Sequence, residues 1–343
     1  MKALLKTKSG IGNVELMEIP EPPCPADKAK IEIHYTGICG TDLHIYHDTF
    51  ENSPPVVMGH EFSGIVTEIG ESIHKVKVGD RVTVLGSTAS TCGTCHYCKT
   101  GYYMFCSERR GMGISADGSF TKYAVVREDM IYTIPENVSL EEAALSEPLA
   151  CAVQAVEELT PIQIGDTVLL SGPGPIGLLC LSLLAIKGCK VIVAGTSADK
   201  KRLEIAKELG VDVVVNVSEE NLLDVVMAET NGLGVDVTID CAGVGPSINS
   251  SLHALKKLGI HIQVGILGQE IKVDYDVILY KQIQLFGSLA HSQKTWEKVM
   301  QILEQKKVNL KPIITHKLPL TKWKEAFDMC EEKKCGKILL SHT

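Results

Sequence analysis

The chain has 343 residues, a formal net charge of -8, and 45% hydrophobic and 22% charged residues. This length exceeds what a single hydrophobic core usually supports, so it predicts two domains. The negative charge argues against broad binding to nucleic-acid phosphates, and no apolar run is long enough to span a bilayer. We therefore expect a globular protein that binds neither nucleic acid nor membrane.

Short runs typical of strands, separated by turns, occupy the chain up to about residue 150. Residues 30–35, 64–69 and 80–85 alternate as half-buried strands do. This pattern predicts an all-β, barrel-like domain over residues 1–150.

Two motifs in this first part contain residues that bind metals. Cys39 opens the run Cys39-Gly40-Thr41-Asp42-Leu43-His44, and His60 follows 21 positions later in Gly59-His60-Glu61. Cysteine thiolate and neutral imidazole are favoured zinc ligands, and a catalytic site uses about three protein ligands and leaves one position open. The motifs therefore predict a catalytic zinc whose third ligand comes from another part of the chain.

Four cysteines within fifteen residues indicate a second metal site: Cys92, Cys95, Cys98 and Cys106. Such spacing favours a closed, structural Cys₄ zinc site. An iron-sulfur cluster is an alternative, but in bacterial ferredoxins the last cysteine follows after three residues and precedes proline. Here seven residues intervene and Ser107 follows.

A disulfide cluster is the other alternative, because the chain has 12 cysteines. The first six residues lack the apolar segment of a signal peptide. We therefore expect a cytoplasmic, reducing compartment, in which disulfides are rare.

Glu147 is the candidate third ligand of the catalytic zinc. It lies in Leu145-Ser146-Glu147-Pro148-Leu149, an otherwise apolar stretch where an unpaired carboxylate would be costly to bury. With Zn²⁺, the Cys39 thiolate and a neutral His60, its charge brings the sum to zero. The metal could then polarise an oxygen in the open position.

From residue 151 the pattern changes to alternating strands and helices. Strand-like runs at 167–170, 190–194 and 211–215 alternate with helix patterns at 176–187 and 199–209. This alternation predicts a parallel sheet with right-handed crossovers over residues 151–287. A helix at 295–305 and two final strand-like runs are expected to return to the first domain over residues 288–343, with the active site in the cleft between the domains.

The first turn of the second domain carries a dinucleotide-binding motif. After an apolar strand it reads Ser171-Gly172-Pro173-Gly174-Pro175-Ile176-Gly177 and opens a helix. The glycines permit a tight turn, close approach to a pyrophosphate and close helix packing. Gly172, Gly174, Pro175, Ile176 and Gly177 are therefore candidate cofactor contacts, as are Val264, Gly265 and Ile266 further along the chain.

The acidic residue expected to bind the adenosine ribose of NAD, about 20 residues after the motif, is absent where the second strand ends. Thr196 and Ser197 follow that strand, and Arg202 lies nearby. Asp199 could replace the acid, or it could cap the next helix. Without an acid, Thr196, Ser197 and Arg202 could bind a 2′-phosphate. We expect NADP(H), with NAD(H) as a close alternative.

The motifs together resemble a known family. Gly59-His60-Glu61-x-x-Gly64-x5-Gly70-x-x-Ile73 resembles the zinc signature of medium-chain alcohol dehydrogenases. Cys39-Gly40-Thr41-Asp42-x-His44 and Glu147-Pro148-Leu149 are similar to the polyol (sorbitol-type) and threonine dehydrogenase branch. The resemblance continues to Gly336–Leu340. It implies an α/β fold made of a GroES-like β-barrel catalytic domain and a Rossmann doubly wound parallel sheet, in a homo-tetramer or homo-dimer.

The resemblance also implies roles for residues around the zinc. Thr41 would hydrogen-bond the reacting oxygen, and His44 would pass its proton outward, a role that suits the ordinary pKa of histidine. Asp42 is expected to accept the second ring proton of His60, as metal-bound histidines usually require. Glu61 is a further candidate, either as a changeable metal ligand or as a charge that tunes the site.

The resemblance favours a small polyol or secondary alcohol as substrate, either free or phosphorylated. Glu147 favours the polyol branch, because the threonine branch typically has aspartate at this position. A threonine dehydrogenase is the alternative within the family. Gln154 stands where relatives often have histidine, and His47, Asp48 and Phe50 are candidate pocket residues. A zinc-free quinone reductase or a crystallin-like protein without catalysis is the alternative from another class.

Overall fold

The computed structural model describes residues 1–342. The strands are β1 Lys2–Lys6, β2 Val14–Glu18, β3 Lys28–Gly37, β4 Val56–Val57, β5 Glu61–Ile69, β6 Arg81–Val84, β7 Tyr123–Arg127, β8 Ile131–Thr133, β9 Thr167–Ser171, β10 Lys190–Gly195, β11 Val213–Asn216, β12 Val235–Asp240, β13 Leu255–Gln263, β14 Gln284–Gly287, β15 Ile314–Pro319 and β16 Lys337–Ser341. The α-helices are α1 Gly40–Tyr46, α2 His96–Lys99, α3 Leu140–Ala143, α4 Ser146–Val153, α5 Pro175–Lys187, α6 Lys200–Glu208, α7 Leu222–Glu229, α8 Gly245–Ala254, α9 Asp276–Lys281, α10 Gln293–Glu304 and α11 Trp323–Glu331. None of these helices has the length and apolarity needed to cross a bilayer.

The first part of the chain folds into two largely antiparallel sheets. The larger sheet has the order β15-β16-β3-β5-β6-β8, with β7 also paired to β3, and the smaller sheet has the order β2-β1-β4. Alternate side chains of β3, namely Ala29, Ile31 and Ile33, are buried in a core shared with β5 and β6. The period-2 pattern of the sequence therefore reflects one face of each strand packing inward.

The end of the chain joins this larger sheet. Leu339 and Leu340 of β16 pair antiparallel with Gly37 and Thr36 of β3, and β15 runs parallel to β16. This pairing brings Lys337, the first residue of β16, close to the start of β5.

The second half contains a six-stranded parallel sheet in the order β11-β10-β9-β12-β13-β14. Counted along the chain, this is the order 3-2-1-4-5-6 of a doubly wound dinucleotide-binding fold, in which ligands bind where the order reverses, here between β9 and β12. Helix α5 begins at Pro175 and ends at Lys187, where Gly188 caps it with a φ of 76°. The predicted α/β class, a GroES-like part with a Rossmann sheet, is confirmed.

Helix α4 lies in the core between the two halves. Its residues Leu149, Ala150 and Val153 are fully buried in a cluster that also contains residues of α5, β9 and α10. Trp296 of α10 is fully buried in the same cluster. Glu147, in the first turn of α4, is therefore held by a helix whose neighbouring residues are packed in this shared core.

Candidate active site

Cys39 immediately precedes helix α1, and the start of that helix fixes its position. The backbone N–H of Cys39 donates a hydrogen bond of 2.9 Å to Oδ2 of Asp42, one turn into the helix. The Thr41 hydroxyl lies 3.6 Å from the Cys39 sulfur. The short motif therefore orders its own thiol and places a hydroxyl beside it.

His60 and Glu61 lie at the start of β5. A side chain on the preceding Gly59, which has φ 86°, would meet the Phe120 ring at 2.4 Å, so only glycine lets the chain pass here. The ligand atoms of Cys39, His60 and Glu61 all lie within 4.8 Å of one another. The structure thus brings together two segments that the sequence separates.

Glu61 also has a partner that the sequence did not reveal. Its two carboxylate oxygens accept hydrogen bonds of 2.8 and 2.7 Å from Nζ of Lys337, which also donates to the carbonyl of Ile38 at 2.9 Å. Both side chains are buried, and although burial alone would lower the pKa of Lys337, the charges of Glu61 and Cys39 raise it. As a metal ligand, Glu61 would have to compete with this ion pair.

Asp42 faces His60 without a hydrogen bond between them. Oδ1 of Asp42 lies 3.9 Å from Nδ1 of His60, and both atoms are buried without a hydrogen-bond partner. Burial raises the pKa of Asp42 to about 6. Burial opposes the charged form of His60 as well, but the Cys39 thiolate and Asp42 raise its pKa well above the ordinary value. The proposed hydrogen bond from His60 to Asp42 remains a prediction.

Glu147 has a buried histidine partner that the sequence analysis missed. Nε2 of His291 lies 3.1 Å from Oε1 of Glu147, and Nδ1 of His291 accepts a hydrogen bond of 2.8 Å from the indole N–H of Trp296. Because tryptophan only donates, Nδ1 carries no proton and Nε2–H donates to the carboxylate. Burial alone would raise the pKa of Glu147, but the hydrogen bond from His291 lowers it.

Cys151, one turn after Glu147 on α4, completes a second group of candidate ligands. The ligand atoms of Glu147, Cys151 and His291 lie within 4.8 Å of one another. Burial and the Glu147 charge raise the pKa of the Cys151 thiol well above its usual value. Cys151 is therefore a neutral thiol beside the carboxylate unless a cation is bound.

One cavity of about 220 Å³ joins the two groups. Cys39, Thr41, His60, Glu147 and Cys151 all line it. The opposite wall comes from the dinucleotide-binding half and includes Ile176, Val264 and Ile266. The three predicted ligands of the catalytic metal therefore face a single pocket between the two halves.

The four cysteines of the second group form a compact lobe. Their sulfurs lie within 4.8 Å of one another, with Cys92–Cys98 at 3.9 Å and Cys92–Cys106 at 3.6 Å. A tetrahedron with metal–sulfur bonds of about 2.3 Å has edges of about 3.8 Å, so these separations fit a single zinc ion. All 12 cysteines are free thiols, which excludes the disulfide cluster.

Backbone N–H groups support these sulfurs. The N–H of Cys95 donates to the Cys92 sulfur at 3.3 Å, and the N–H of Cys98 donates to the Cys95 sulfur at 3.4 Å. Hydrogen bonds from the backbone of Thr94 and Cys95 lower the pKa of Cys92 to about 6. Desolvation raises the pKa of Cys98 to about 11, so Cys92 is the sulfur that these backbone groups favour as a thiolate before a cation binds.

The glycine-rich turn borders a second cleft, of about 510 Å³. Gly172 has φ 91°, and a side chain on Gly177 would meet the carbonyl oxygen of Gly172 at 2.1 Å. A side chain on Gly174 would meet no atom within 4 Å, so this glycine leaves its backbone open to a ligand. These features fit the pyrophosphate of a dinucleotide at the start of α5.

The residues after β10 line the other end of this cleft. Asp199 accepts hydrogen bonds from the Thr196 hydroxyl at 2.7 Å and backbone N–H at 3.1 Å, so it caps the turn before α6. Arg202 and Lys333 each lie 3.4 Å from its carboxylate, and all three charged residues line the cleft. Burial alone would raise the pKa of Asp199, but the hydrogen bonds from Thr196 and the charges of Lys333 and Arg202 lower it.

Three other residues predicted to contact the cofactor or carry the proton lie in three different environments. The Ser197 hydroxyl contacts Asn216 at 3.0 Å and does not line the cleft. A side chain on Gly265 would meet the Gly243 nitrogen at 2.4 Å, so this glycine permits close packing of two loops. His44 lies beside a loop of the dinucleotide-binding half, because a side chain on Gly268 would meet its ring at 4.0 Å.

Of the other residues named in the sequence analysis, some line the active-site cavity and some form contacts elsewhere. Phe50 lines the smaller cavity, whereas His47 pairs with Glu331 and Asp48 lies 3.7 Å from Lys6. Gln154 is buried and accepts a hydrogen bond of 2.7 Å from Thr295, on the helix that follows His291. It therefore helps to position the His291 segment.

Two family models match the chain. Residues 25–136 match the alcohol dehydrogenase GroES-like domain, and residues 175–305 match the zinc-binding dehydrogenases. The chain therefore belongs to the zinc-dependent medium-chain alcohol dehydrogenase family, in the branch of polyol and threonine dehydrogenases. It is an oxidoreductase that uses zinc and a nicotinamide dinucleotide.

Several curated relatives match over nearly their whole length. The chain is 40% identical to a sorbitol dehydrogenase of Halalkalibacterium halodurans over 99% of both chains. It is also 40% identical to a D-arabitol-phosphate dehydrogenase of Enterococcus avium, over 99% of this chain and 97% of the relative. It is 37% identical to an L-threonine 3-dehydrogenase of Pyrococcus horikoshii, over 99% and 98%.

Solved structures show the same fold with cofactors bound. A protein assigned as a zinc-binding dehydrogenase from Sinorhizobium meliloti 1021, bound to NADP, superposes with a TM-score of 0.89 at 28% identity over 99% of this chain and 98% of that one. A protein of Escherichia coli CFT073 described as a short chain alcohol dehydrogenase, complexed with NADH, gives 0.89 at 30% identity over 99% of both.

Proposed function

We propose that this protein oxidises a secondary hydroxyl of a polyol, with zinc held by Cys39, His60 and Glu147. The observation that supports the proposal is the shared cavity: these three side chains line one wall, and residues of the dinucleotide-binding half line the other. A bound alcohol would therefore face both the metal ligands and the nicotinamide end of the cofactor.

The donor set fits a catalytic zinc. Thiolate, imidazole and carboxylate are all zinc ligands, and three of them leave a position open. Bound zinc supplies a Lewis acid that acidifies an alcohol, and the nicotinamide supplies a hydride acceptor. His291 orients Glu147 through its Nε2–H, while Trp296 fixes the tautomer of His291. Asp42 is placed to do the same for His60 after a small movement.

We assign the proton path to Thr41 and His44 of helix α1. Thr41 lines the cavity, so its hydroxyl can accept the proton of a substrate hydroxyl. His44 lies one helical turn further on, and its Nδ1 is 3.0 Å from the Thr49 hydroxyl at the surface. In this path the Thr41 hydroxyl accepts the substrate proton as it releases its own, and His44 transfers a proton toward solvent.

We propose NADP(H) as the preferred cofactor, with NAD(H) also accepted. No carboxylate ends β10, and the cationic side chains of Arg202 and Lys333 line the cleft. Asp199, which could have bound a ribose, instead caps the turn at Thr196. Arg202 and Lys333 would form hydrogen bonds with a 2′-phosphate in place of some of those that they form with Asp199.

The polyol assignment is favoured over threonine because of Glu147 and the relatives at 40% identity. We further propose a cytoplasmic enzyme that forms a homo-tetramer or homo-dimer. We also propose that residues 1–150 with 288–343 form the catalytic domain and residues 151–287 the cofactor domain.

A substrate panel tests this proposal. The zinc-loaded protein is assayed with pentitols, hexitols, their phosphate esters, simple secondary alcohols and L-threonine, with NAD⁺ and NADP⁺ in parallel, by nicotinamide absorbance. We expect turnover of polyols or their esters. Turnover of L-threonine alone would reject the polyol assignment, and a strong preference for NAD⁺ would reject the cofactor assignment.

A further inference from the structure

Arg109 connects the active-site cavity to a larger neighbouring cavity. It lines the pocket of about 220 Å³ that contains the predicted zinc ligands, and it also lines an adjoining cavity of about 780 Å³. Phe50 and Ile114 are the other residues common to both. The Arg109 side chain therefore stands at the junction between the two spaces.

No carboxylate pairs with the guanidinium of Arg109 among residues 1–342, and the nearby group whose charge acts on it is the Cys106 thiol. Among residues 1–342 the guanidinium makes no hydrogen bond or ion pair, although the side chain is partly buried. Glu51 and Glu108 line the larger cavity, but neither forms an ion pair with it. A partly buried cation without a partner is costly, and a bound anion would remove that cost.

Ser87 provides a second unpartnered polar group on the active-site side. Its hydroxyl is shielded from solvent, has no hydrogen-bond partner, and belongs to a residue that lines the smaller cavity with Arg109. The turn that carries Ser87 is joined to the segment after Arg109 by a hydrogen bond of 2.9 Å from the Met112 N–H to the Gly86 carbonyl. The two side chains are thus held on connected segments.

We propose that Arg109, assisted by Ser87, binds the phosphate group of a phosphorylated polyol, so that the preferred substrate is a sugar-alcohol phosphate. This inference rests on the proposed polyol oxidation and names the substrate class of the same site. Guanidinium groups bind phosphate through paired, charge-assisted hydrogen bonds, and a serine hydroxyl adds a further donor.

The geometry favours a phosphate ester over an amino acid. In threonine the carboxylate is only two carbons from the reacting carbinol, so its binding group would have to lie next to the metal ligands. Arg109 instead borders a second cavity lined by hydroxyl and amide side chains, namely Asn52, Ser53, Ser90, Thr91, Ser107 and Ser115. This arrangement fits a longer hydroxylated chain that ends in an anion.

The test compares a polyol with its terminal phosphate ester in the zinc-loaded enzyme at saturating NADP⁺. We expect Arg109→Gln to lower kcat/KM for the ester by about 100-fold and for the free polyol by less than about threefold, because only the ester loses a charge-assisted contact. Arg109→Lys keeps the charge without the paired donors and should recover part of the loss. Arg110→Gln is the matched control, since Arg110 lines only the larger cavity.

A binding measurement separates this inference from the proposed function. Inorganic phosphate, titrated calorimetrically into the protein at saturating NADP⁺, should bind the native chain and not the Arg109→Gln variant. If neither polyols nor their esters are oxidised, the proposed function fails while the phosphate titration still tests Arg109. An equal loss for ester and free polyol, or phosphate binding unaffected by the substitution, would overturn the subsite alone.

Discussion

The two candidate metal sites differ in how their ligands are assembled. The four-cysteine group comes from a single stretch, residues 92–106, has four identical donors, and receives hydrogen bonds from its own backbone. The predicted catalytic ligands Cys39, His60 and Glu147 come from three distant segments and have three different donors; they belong to two separate clusters that line one cavity. The first arrangement saturates a tetrahedral ion, and the second leaves room for a substrate.

The two sites also differ in the charged side chains that surround them. Around the cavity, buried carboxylates are hydrogen-bonded to other buried side chains: Glu61 to Lys337, and Glu147 to His291. Around the four-cysteine lobe, the sulfurs instead accept hydrogen bonds from backbone N–H groups, and Arg109 is a charged side chain that acts on Cys106. Buried ionisable groups that line a cavity are typical of catalytic sites, so we expect catalysis at the cavity and structural support from the four-cysteine lobe.

The largest expected effect is loss of the catalytic metal. Cys39→Ser should remove one zinc equivalent and lower kcat/KM by about 1000-fold, because several kcal/mol of Lewis-acid stabilisation are lost. Metal analysis and initial rates measure both. Cys24→Ser makes the same chemical change outside both groups and should keep both zinc equivalents. If Cys39→Ser keeps full zinc and activity, the catalytic assignment is wrong.

A ligand change in the closed lobe should affect stability first. Cys98→Ala should remove the other zinc equivalent and lower the free energy of unfolding by about 3 kcal/mol or more, since structural zinc binding contributes directly to folding. Thermal unfolding and metal content check this, and activity per mole of remaining zinc should largely persist. A variant with unchanged stability and two zinc equivalents would contradict the structural role.

The same comparison shows what the sequence could and could not predict. The four cysteines and the glycine-rich turn were predictable because each signature lies within a few residues of continuous chain. His291 lies 144 residues from Glu147, and Lys337 lies 276 residues from Glu61. Lys337 lies in the Gly336–Leu340 run of the resemblance, but nothing in that run or around His291 indicates a partner. Tertiary packing of α4 against α10 and of β16 against β3 creates these contacts.

Residue type alone also left the role of Asp199 open. A carboxylate after β10 could have bound a ribose or capped the next turn, and both roles require the same residue. The structure shows that Asp199 caps the turn, because its hydrogen bonds with Thr196 form a capping box. The cofactor preference depends on how the nearby cations share that carboxylate, which the sequence does not specify.

Removing the partner of Glu147 should have the next largest effect. His291→Ala leaves the Glu147 carboxylate buried without its hydrogen bond, and we expect a loss of about 10- to 100-fold in zinc affinity or activity. Zinc competition with a chelator and steady-state kinetics measure this. His261→Ala is the control, since His261 is also buried but bonds to Thr238 within the parallel sheet. Equal effects of both variants would indicate a general loss of packing.

The proton path should show a smaller effect that depends on buffer and pH. His44→Asn should keep both zinc equivalents and lower kcat by about tenfold at neutral pH, because the outward transfer of the proton is slowed. Added imidazole should restore part of the rate, and the deficit should shrink at high pH, where hydroxide removes the proton. Identical profiles for native and variant enzyme would rule out the path.

The smallest expected effect concerns cofactor preference, and it extends the comparison to the cofactor cleft. Arg202 there contacts Asp199 at 3.4 Å and donates from Nε to the carbonyl of Cys335 at 2.8 Å, so it is held beside the region expected to receive the ribose. Arg202→Gln should lower the ratio of kcat/KM for NADP⁺ to that for NAD⁺ by about five- to tenfold, because one charge-assisted contact is lost. Lys201→Gln removes an equal charge from an exposed position outside the cleft and should leave the ratio unchanged. An equal change in both variants would mean that the overall positive charge, and not contact with a 2′-phosphate, determines the preference.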